Sequence, residues 1–122
     1  MNSGTGIAVN SGSSIRELQN SFNNFFPYLR LEFLKYKNES GSNNHYNKLT
    51  ADLKVSHVKP GLSSSELMIK DSMTVEELEK AFRELFGLNV EVLRKSGNIW
   101  LETNFTHDWT LHHQNEMGRA IS

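Results

Sequence analysis

The chain has 122 residues, thirteen basic and fourteen acidic, for a formal net charge of −1; it is 37% hydrophobic and 22% charged. That is the size and make-up of one globular domain, neither disordered nor fibrous, and no strong net field draws it to nucleic acid or an anionic membrane. The absence of cysteine excludes disulfide scaffolds, thiolate metal sites, iron–sulfur clusters and a thiol nucleophile.

The N-terminus, MNSGTGIAVNSGSS, has neither the basic region nor the apolar core of a secretory signal. No run approaches the roughly 20 apolar residues of a membrane helix. The expectation is a cytoplasmic protein with no membrane partner, so the sequons at Asn38 and Asn104 are read as chance.

Ile7-Ala8-Val9 reads as a short strand. A helix then begins at Ser14, with Ile15, Leu18, Phe22, Phe25 and Phe26 as its apolar stripe. Ser14 and Glu17 form a capping box, and Pro27 ends the helix. Leu31-Glu32-Phe33-Leu34-Lys35 follows as a strand. A polar excursion at Asn38–Asn47 comes next, then Leu49–Val58 as the returning segment, which fits neither period cleanly.

Sixty residues on, the pattern repeats. Leu67-Met68-Ile69 reads as a strand. Thr74 and Glu77 form a second capping box, and Val75, Leu78, Phe82, Leu85 and Phe86 a second stripe, stopped at Gly87. Val90-Glu91-Val92-Leu93-Arg94 and Ile99-Trp100-Leu101-Glu102-Thr103 then flank a turn at Ser96-Gly97, a hairpin. The expected fold is α+β: a two-layer sandwich in which tandem β-α-β-β units, 7–58 and 67–104, form one mainly antiparallel sheet. Two helices cover one face, and a tail at 105–122 adds a short C-terminal helix. All of 1–122 is one domain. Phe22, Phe26, Phe82 and Phe86 are expected in the core.

Alternation along the strands sends Leu31, Phe33, Val90 and Val92 toward the helices, and Arg30, Glu32, Leu34, Tyr36, Glu91 and Leu93 to the outer face. A turn centred on Ser96-Gly97 sets Arg94 opposite Ile99, Leu93 opposite Trp100 and Glu91 opposite Glu102. Trp100 then joins the outer face and Leu101 points to the core. Two facing glutamates are unfavourable without a cation nearby. Three fates are open to this face: coverage by the tail through Trp109, Leu111 and Met117, by a second copy of the chain, or by a partner or ligand.

In the tail, Asp108 is the candidate N-cap of a helix stopped by Gly118. His112 and Glu116 are i,i+4 neighbours and the candidate metal donors, with His107, His113 and Asp108 nearby, although no recognised metal motif is present. The expectation is no cofactor. No G-x-S-x-G elbow, P-loop or dinucleotide-binding loop occurs. Tyr28, Arg30, Phe33, Lys35, Tyr36 and Lys37 interleave bases and aromatics as a nucleic-acid surface would, but Glu32, Glu91 and Glu102 on the same face repel phosphate.

The segments Phe26-Pro27-Tyr28-Leu29, Arg94–Thr103 and Asp108–Leu111, with Gln114-Asn115-Glu116 and Gly118, resemble an uncharacterised family of small bacterial proteins. The similarity spans about Ile15 to Gly118 and is most specific from Phe86 onward. It implies a bacterial cytoplasmic protein with a fixed tail, and it assigns no catalytic residue. The resulting reading is a small non-enzymatic protein-binding or regulatory module. Its surface is Leu34, Glu91, Leu93, Trp100, Glu102 and Trp109, and its partner is another protein or a second copy. The alternatives are a metal-dependent or other small enzyme using the C-terminal histidines, and RNA or single-stranded DNA binding.

Overall fold

The computed structural model describes residues 4–35, 47–48, 52–58 and 65–122. Its elements run β1 (Gly4–Val9), α1 (Ile15–Phe25), β2 (Leu29–Lys35), β3 (Asn47–Lys48), α2 (Val55–Val58), β4 (Ser65–Lys70), α3 (Val75–Phe86), β5 (Asn89–Ser96), β6 (Ile99–Glu102), a 3₁₀ turn (Asn104–Thr106) and α4 (Leu111–Ile121). The class is α+β. The sheet has the order β3-β2-β5-β6 and is antiparallel throughout; β3 contributes two residues at its edge. No helix among the described residues is long and apolar enough to cross a membrane.

Both long helices start as their sequences dictate. Ser14 and Thr74 sit in extended backbone and accept from the N–H of Glu17 and Glu77, whose carboxylates accept from the cap N–H groups in return. Gly87 ends α3 at φ 66°, a left-handed conformation that glycine adopts without the Cβ clash. Phe22, Phe26, Phe82 and Phe86 are all buried. Phe25 and Leu85 are not: at 44% and 53% exposed they lie outside the core, contrary to the stripes drawn from the sequence. Each directly precedes a buried Phe, and neighbours in a helix point about 100° apart, so one of the two must turn outward.

The single sheet expected from the sequence is replaced by a sheet and a separate ribbon. β1 and β4 pair only with each other, antiparallel, with Ile7 opposite Leu67. A physical reason lies on α1. Gln19 Nε2 donates to the Leu31 carbonyl at 2.9 Å, and Asn23 Nδ2 to the Leu29 carbonyl at 2.8 Å. These two amides, one helical turn apart, occupy acceptors that a further strand would have needed. The ribbon still faces the common core, through Ile7, Val9, Leu67 and Ile69.

Other boundaries move. The part of Leu49–Val58 that is described contains a helical turn, α2, while the strand that returns beside β2 is Asn47–Lys48. The rest of the Asn38–Asn47 excursion, Tyr36, and Leu49 lie outside the described residues. The hairpin turns on Gly97-Asn98, with Gly97 at φ 60°, so Ser96 faces Ile99, Lys95 faces Trp100, Arg94 faces Leu101 and Leu93 faces Glu102. A glycine with positive φ at the first central position gives the turn that matches strand twist, whereas a turn on Ser96-Gly97 leaves Ser96 to do so. Leu101 is only half-buried. Thr110, not Asp108, caps α4, and the helix runs through Gly118 to Ile121.

The four-residue α2 and the 11-residue α4 are held beside the starts of α1 and α3 by matching backbone bonds. Ile15 N donates to Leu53 O at 2.9 Å, Val55 N to Ser13 O at 2.8 Å and Ser56 N to Ser11 O at 3.2 Å. Sixty residues later, Val75 N donates to Trp109 O at 3.1 Å, Leu111 N to Met73 O at 2.7 Å and His112 N to Asp71 O at 3.0 Å. Each set joins the start of one helix to the segment that opens another, α1 to α2 in the first case and α3 to α4 in the second.

Candidate binding face

The register fixes which side chains share the outer face: Arg30, Glu32 and Leu34 on β2, Glu91, Leu93 and Lys95 on β5, and Trp100 and Glu102 on β6. The two-residue change in hairpin register preserves the face and changes the neighbours. Trp100 stands across from Lys95, not Leu93, and Glu102 across from Leu93, not Glu91. The facing glutamates are instead Glu32 and Glu91.

This face is not an open apolar patch. Leu93 is 7% exposed, and Leu34 and Trp100 are half-buried. The Arg30 guanidinium lies 5.9 Å from the centroid of the Trp100 ring, a cation–π distance. The same guanidinium, through Nε, stands 2.6 Å from Glu32 Oε2. That contact pairs the charges, although its geometry is not that of a hydrogen bond. Gln19 Nε2 reaches Glu32 Oε1 at 3.5 Å. Glu32 is only 3% exposed, and Arg30 is the cation that makes its burial opposite Glu91 tolerable. Glu91 is half-buried and Glu102 is exposed, where it accepts from Asn104 Nδ2 at 3.1 Å.

Glu79 on α3 borders this row. Burial pushes its carboxyl above the usual range, against a hydrogen bond from the Val92 N–H; the charge of Glu91 raises it further, and His107 and Arg83 oppose the rise. A carboxyl whose folded pKa exceeds its unfolded value binds its proton more tightly when folded. Its penalty is absent below the unfolded pKa of about 4.3, grows as pH rises toward the folded pKa, and stays constant above it. Glu79→Gln keeps an acceptor for Val92 and removes the charge. It is expected to raise the melting temperature at pH 7, with the gain vanishing as pH falls through about 4. A variant less stable than wild type at pH 7 contradicts this.

Trp109, named with the face from the sequence, is placed elsewhere. Arg94 lies 5.5 Å from its ring centroid, and Arg94 shares the register row of Leu29 and Leu101, on the side of Leu31 and Val92. The tail docks there. Arg94 Nη1 donates to Gln114 Oε1 at 2.9 Å, and Gln114 Nε2 donates to the Thr106 carbonyl at 2.7 Å and hydroxyl at 2.8 Å. Tyr28 N–H donates to Asn115 Oδ1 at 2.9 Å. A Cβ on Gly118 would fall 2.8 Å from Tyr28 Cβ, so only glycine lets α4 come this close. Tyr28, Arg94, Gln114, Asn115 and Gly118 therefore form a packing joint, and the face of Trp100 is not where the tail lies.

The histidines disperse. His107 Nε2 is 3.7 Å from Glu76, His113 meets Trp109 edge-on at 4.4 Å between centroids, and His112 is exposed. A hydrogen bond from Arg119 holds the Glu116 carboxyl below its usual range, which commits that group to an ion pair. Among the described residues no three His, Asp or Glu side chains gather as metal ligands.

Sequence reasoning placed Arg30 on this face but did not single it out. It missed Gln19, Asn20 and Asn23, which with Arg30 and Trp100 line a hollow of about 260 Å³ at the margin of the face. A signal was present: Gln19 and Asn23 are amides four apart, beside the apolar stripe of α1, where a strand edge needs donors. No protein-family model matches the chain, and neither a curated protein nor a solved structure matches it.

Proposed function

We propose that the chain is a small non-enzymatic module that binds a protein partner through the outer sheet face, with Arg30 and Trp100 as the anchoring pair. The observation that carries this reading is the Arg30–Trp100 stack at 5.9 Å, half exposed on a sheet face that the tail leaves alone. Trp and Arg are the residues most enriched where binding energy concentrates. Around them stand three carboxylates, Glu32, Glu91 and Glu102, against Arg30 and Lys95. This mixed rim favours a protein over a phosphate backbone.

The proposal includes the architecture. The chain is read as two like units, β1-α1-β2-β3-α2 and β4-α3-β5-β6-α4, related by a pseudo-twofold axis. The matched capping boxes and the matched backbone bonds around α2 and α4 support it. So do the two places where corresponding residues pair with each other, Ile7 with Leu67 and Glu32 with Glu91. A two-layer packing belongs to the same proposal, supported by the shared core of Phe22, Phe82 and Phe86 with Leu31, Phe33, Val90 and Val92. The outer face then lies on the axis, where both units contribute to it.

Trp100→Ala tests the function. Partner retention on the immobilised chain, or self-association by sedimentation, is expected to fall at least about tenfold, or 1.4 kcal/mol, while the melting temperature moves by only a few degrees. A variant that is merely a less stable monomer, with retention unchanged, shows that the face is structural.

A further inference from the structure

We infer that the hollow beside Trp100 takes one neutral, polyhydroxylated ring: a saccharide unit, free or at the end of a larger glycan. The inference rests on the reading of the outer face as the binding face and gives the hollow at its margin a ligand of its own beside the protein partner. Gln19, Asn20, Asn23, Arg30 and Trp100 line the hollow among the described residues. Its chemistry is neutral and two-sided. Gln19 and Asn23 spend their amide N–H groups on the carbonyls of Leu31 and Leu29. Those bonds fix which amide atom is nitrogen and leave each amide oxygen as an acceptor. Asn20, one residue beyond Gln19 and exposed, offers both a donor and an acceptor. Arg30 adds N–H donors, but its charge is matched by Glu32 at 2.6 Å, and no other charged residue lines the hollow among those described.

Fixed donors and acceptors with no net charge suit hydroxyl groups, which both donate and accept. An anion would find Arg30 already paired with the buried Glu32, and an apolar ligand would leave the amides unpaired. Trp100, which lines the hollow beside Arg30, supplies aromatic surface for the C–H groups of a ring. At about 260 Å³ the hollow is smaller than the roughly 300–1,000 Å³ of sites for drug-sized ligands, which fits a single ring.

The test is a ¹⁵N–¹H NMR titration of the intact chain with the methyl glycosides of glucose, galactose and N-acetylglucosamine, a neutral trisaccharide, glucuronate and inorganic phosphate. At least one neutral glycoside is expected to shift the Trp100 indole and Asn20 side-chain amide signals saturably, with a Kd of about 1 mM, and to leave the Trp109 indole unmoved. Asn20→Ala, which removes an exposed side chain, is expected to weaken binding about tenfold without changing the melting temperature. Tighter binding of the trisaccharide identifies a glycan end; equal binding identifies the free sugar. Saturation by none of the neutral sugars, preference for glucuronate or phosphate, or binding that Asn20→Ala leaves intact overturns the inference. If the sugars fail while Trp100→Ala still abolishes partner retention, the ligand class falls and the binding face stands. If both fail, so does the face.

Discussion

Phe82→Ala is expected to cost about 3–5 kcal/mol in chemical denaturation, seen as a lower midpoint at unchanged slope. The ring is fully buried and bridges the two halves of the chain. It meets Phe33 of β2 edge-on at 5.7 Å and 88°, and Phe86, one turn further along α3, at 5.6 Å. Truncation removes the apolar transfer energy and leaves a cavity, because Phe33 is held by its strand and cannot follow. Leu85, on the same helix but 53% exposed, is the internal control: Leu85→Ala is expected within about 0.5 kcal/mol of wild type. A loss under about 1 kcal/mol at Phe82 contradicts the shared core.

The second large effect is expected at Gln114. This side chain is fully buried, and its amide joins three elements: it accepts from Arg94 on β5 and donates to Thr106 in the turn that precedes α4. Gln114→Leu keeps much of the volume and removes every one of these bonds. Arg94, whose Nε is already buried without a hydrogen-bond partner, then loses its bond through Nη1, while its contact with Trp109 remains. The expected loss is about 2–3 kcal/mol, with a change in the Trp109 emission as Arg94 shifts. A variant as stable as wild type contradicts the description of this joint.

How much of this was legible in the sequence follows from which interactions are local. The capping boxes at Ser14 and Thr74 need only a residue and its third neighbour, and both are present. The buried aromatics followed from the same short spacing. The hairpin register depends on which turn position Gly97 takes: the sequence reading makes it the second of Ser96-Gly97, whereas it is the first of Gly97-Asn98. Because the slip was two residues, Trp100 stayed on its face while every cross-strand partner changed. The separation of β1 and β4 into a ribbon was not legible. It turns on Gln19 and Asn23 reaching strand carbonyls, which periodicity treats as an ordinary polar helix face. Trp109 and Trp100 looked alike as apolar residues near the C-terminus. Only the row of Arg94 with Leu29 and Leu101 puts them on opposite sides of the sheet.

That opposition allows the most direct test. Hydroxyl-radical footprinting with mass spectrometry reads the solvent access of each tryptophan, and of fully exposed Phe105, in one experiment. The chain is labelled alone in buffer and again in the presence of partners captured on it. Oxidation of Trp100 is expected to fall in the bound sample while Trp109 and Phe105 label as before. Equal labelling of Trp100 in the two samples, with protection at Trp109 or Phe105 instead, contradicts the outer sheet face as the binding surface.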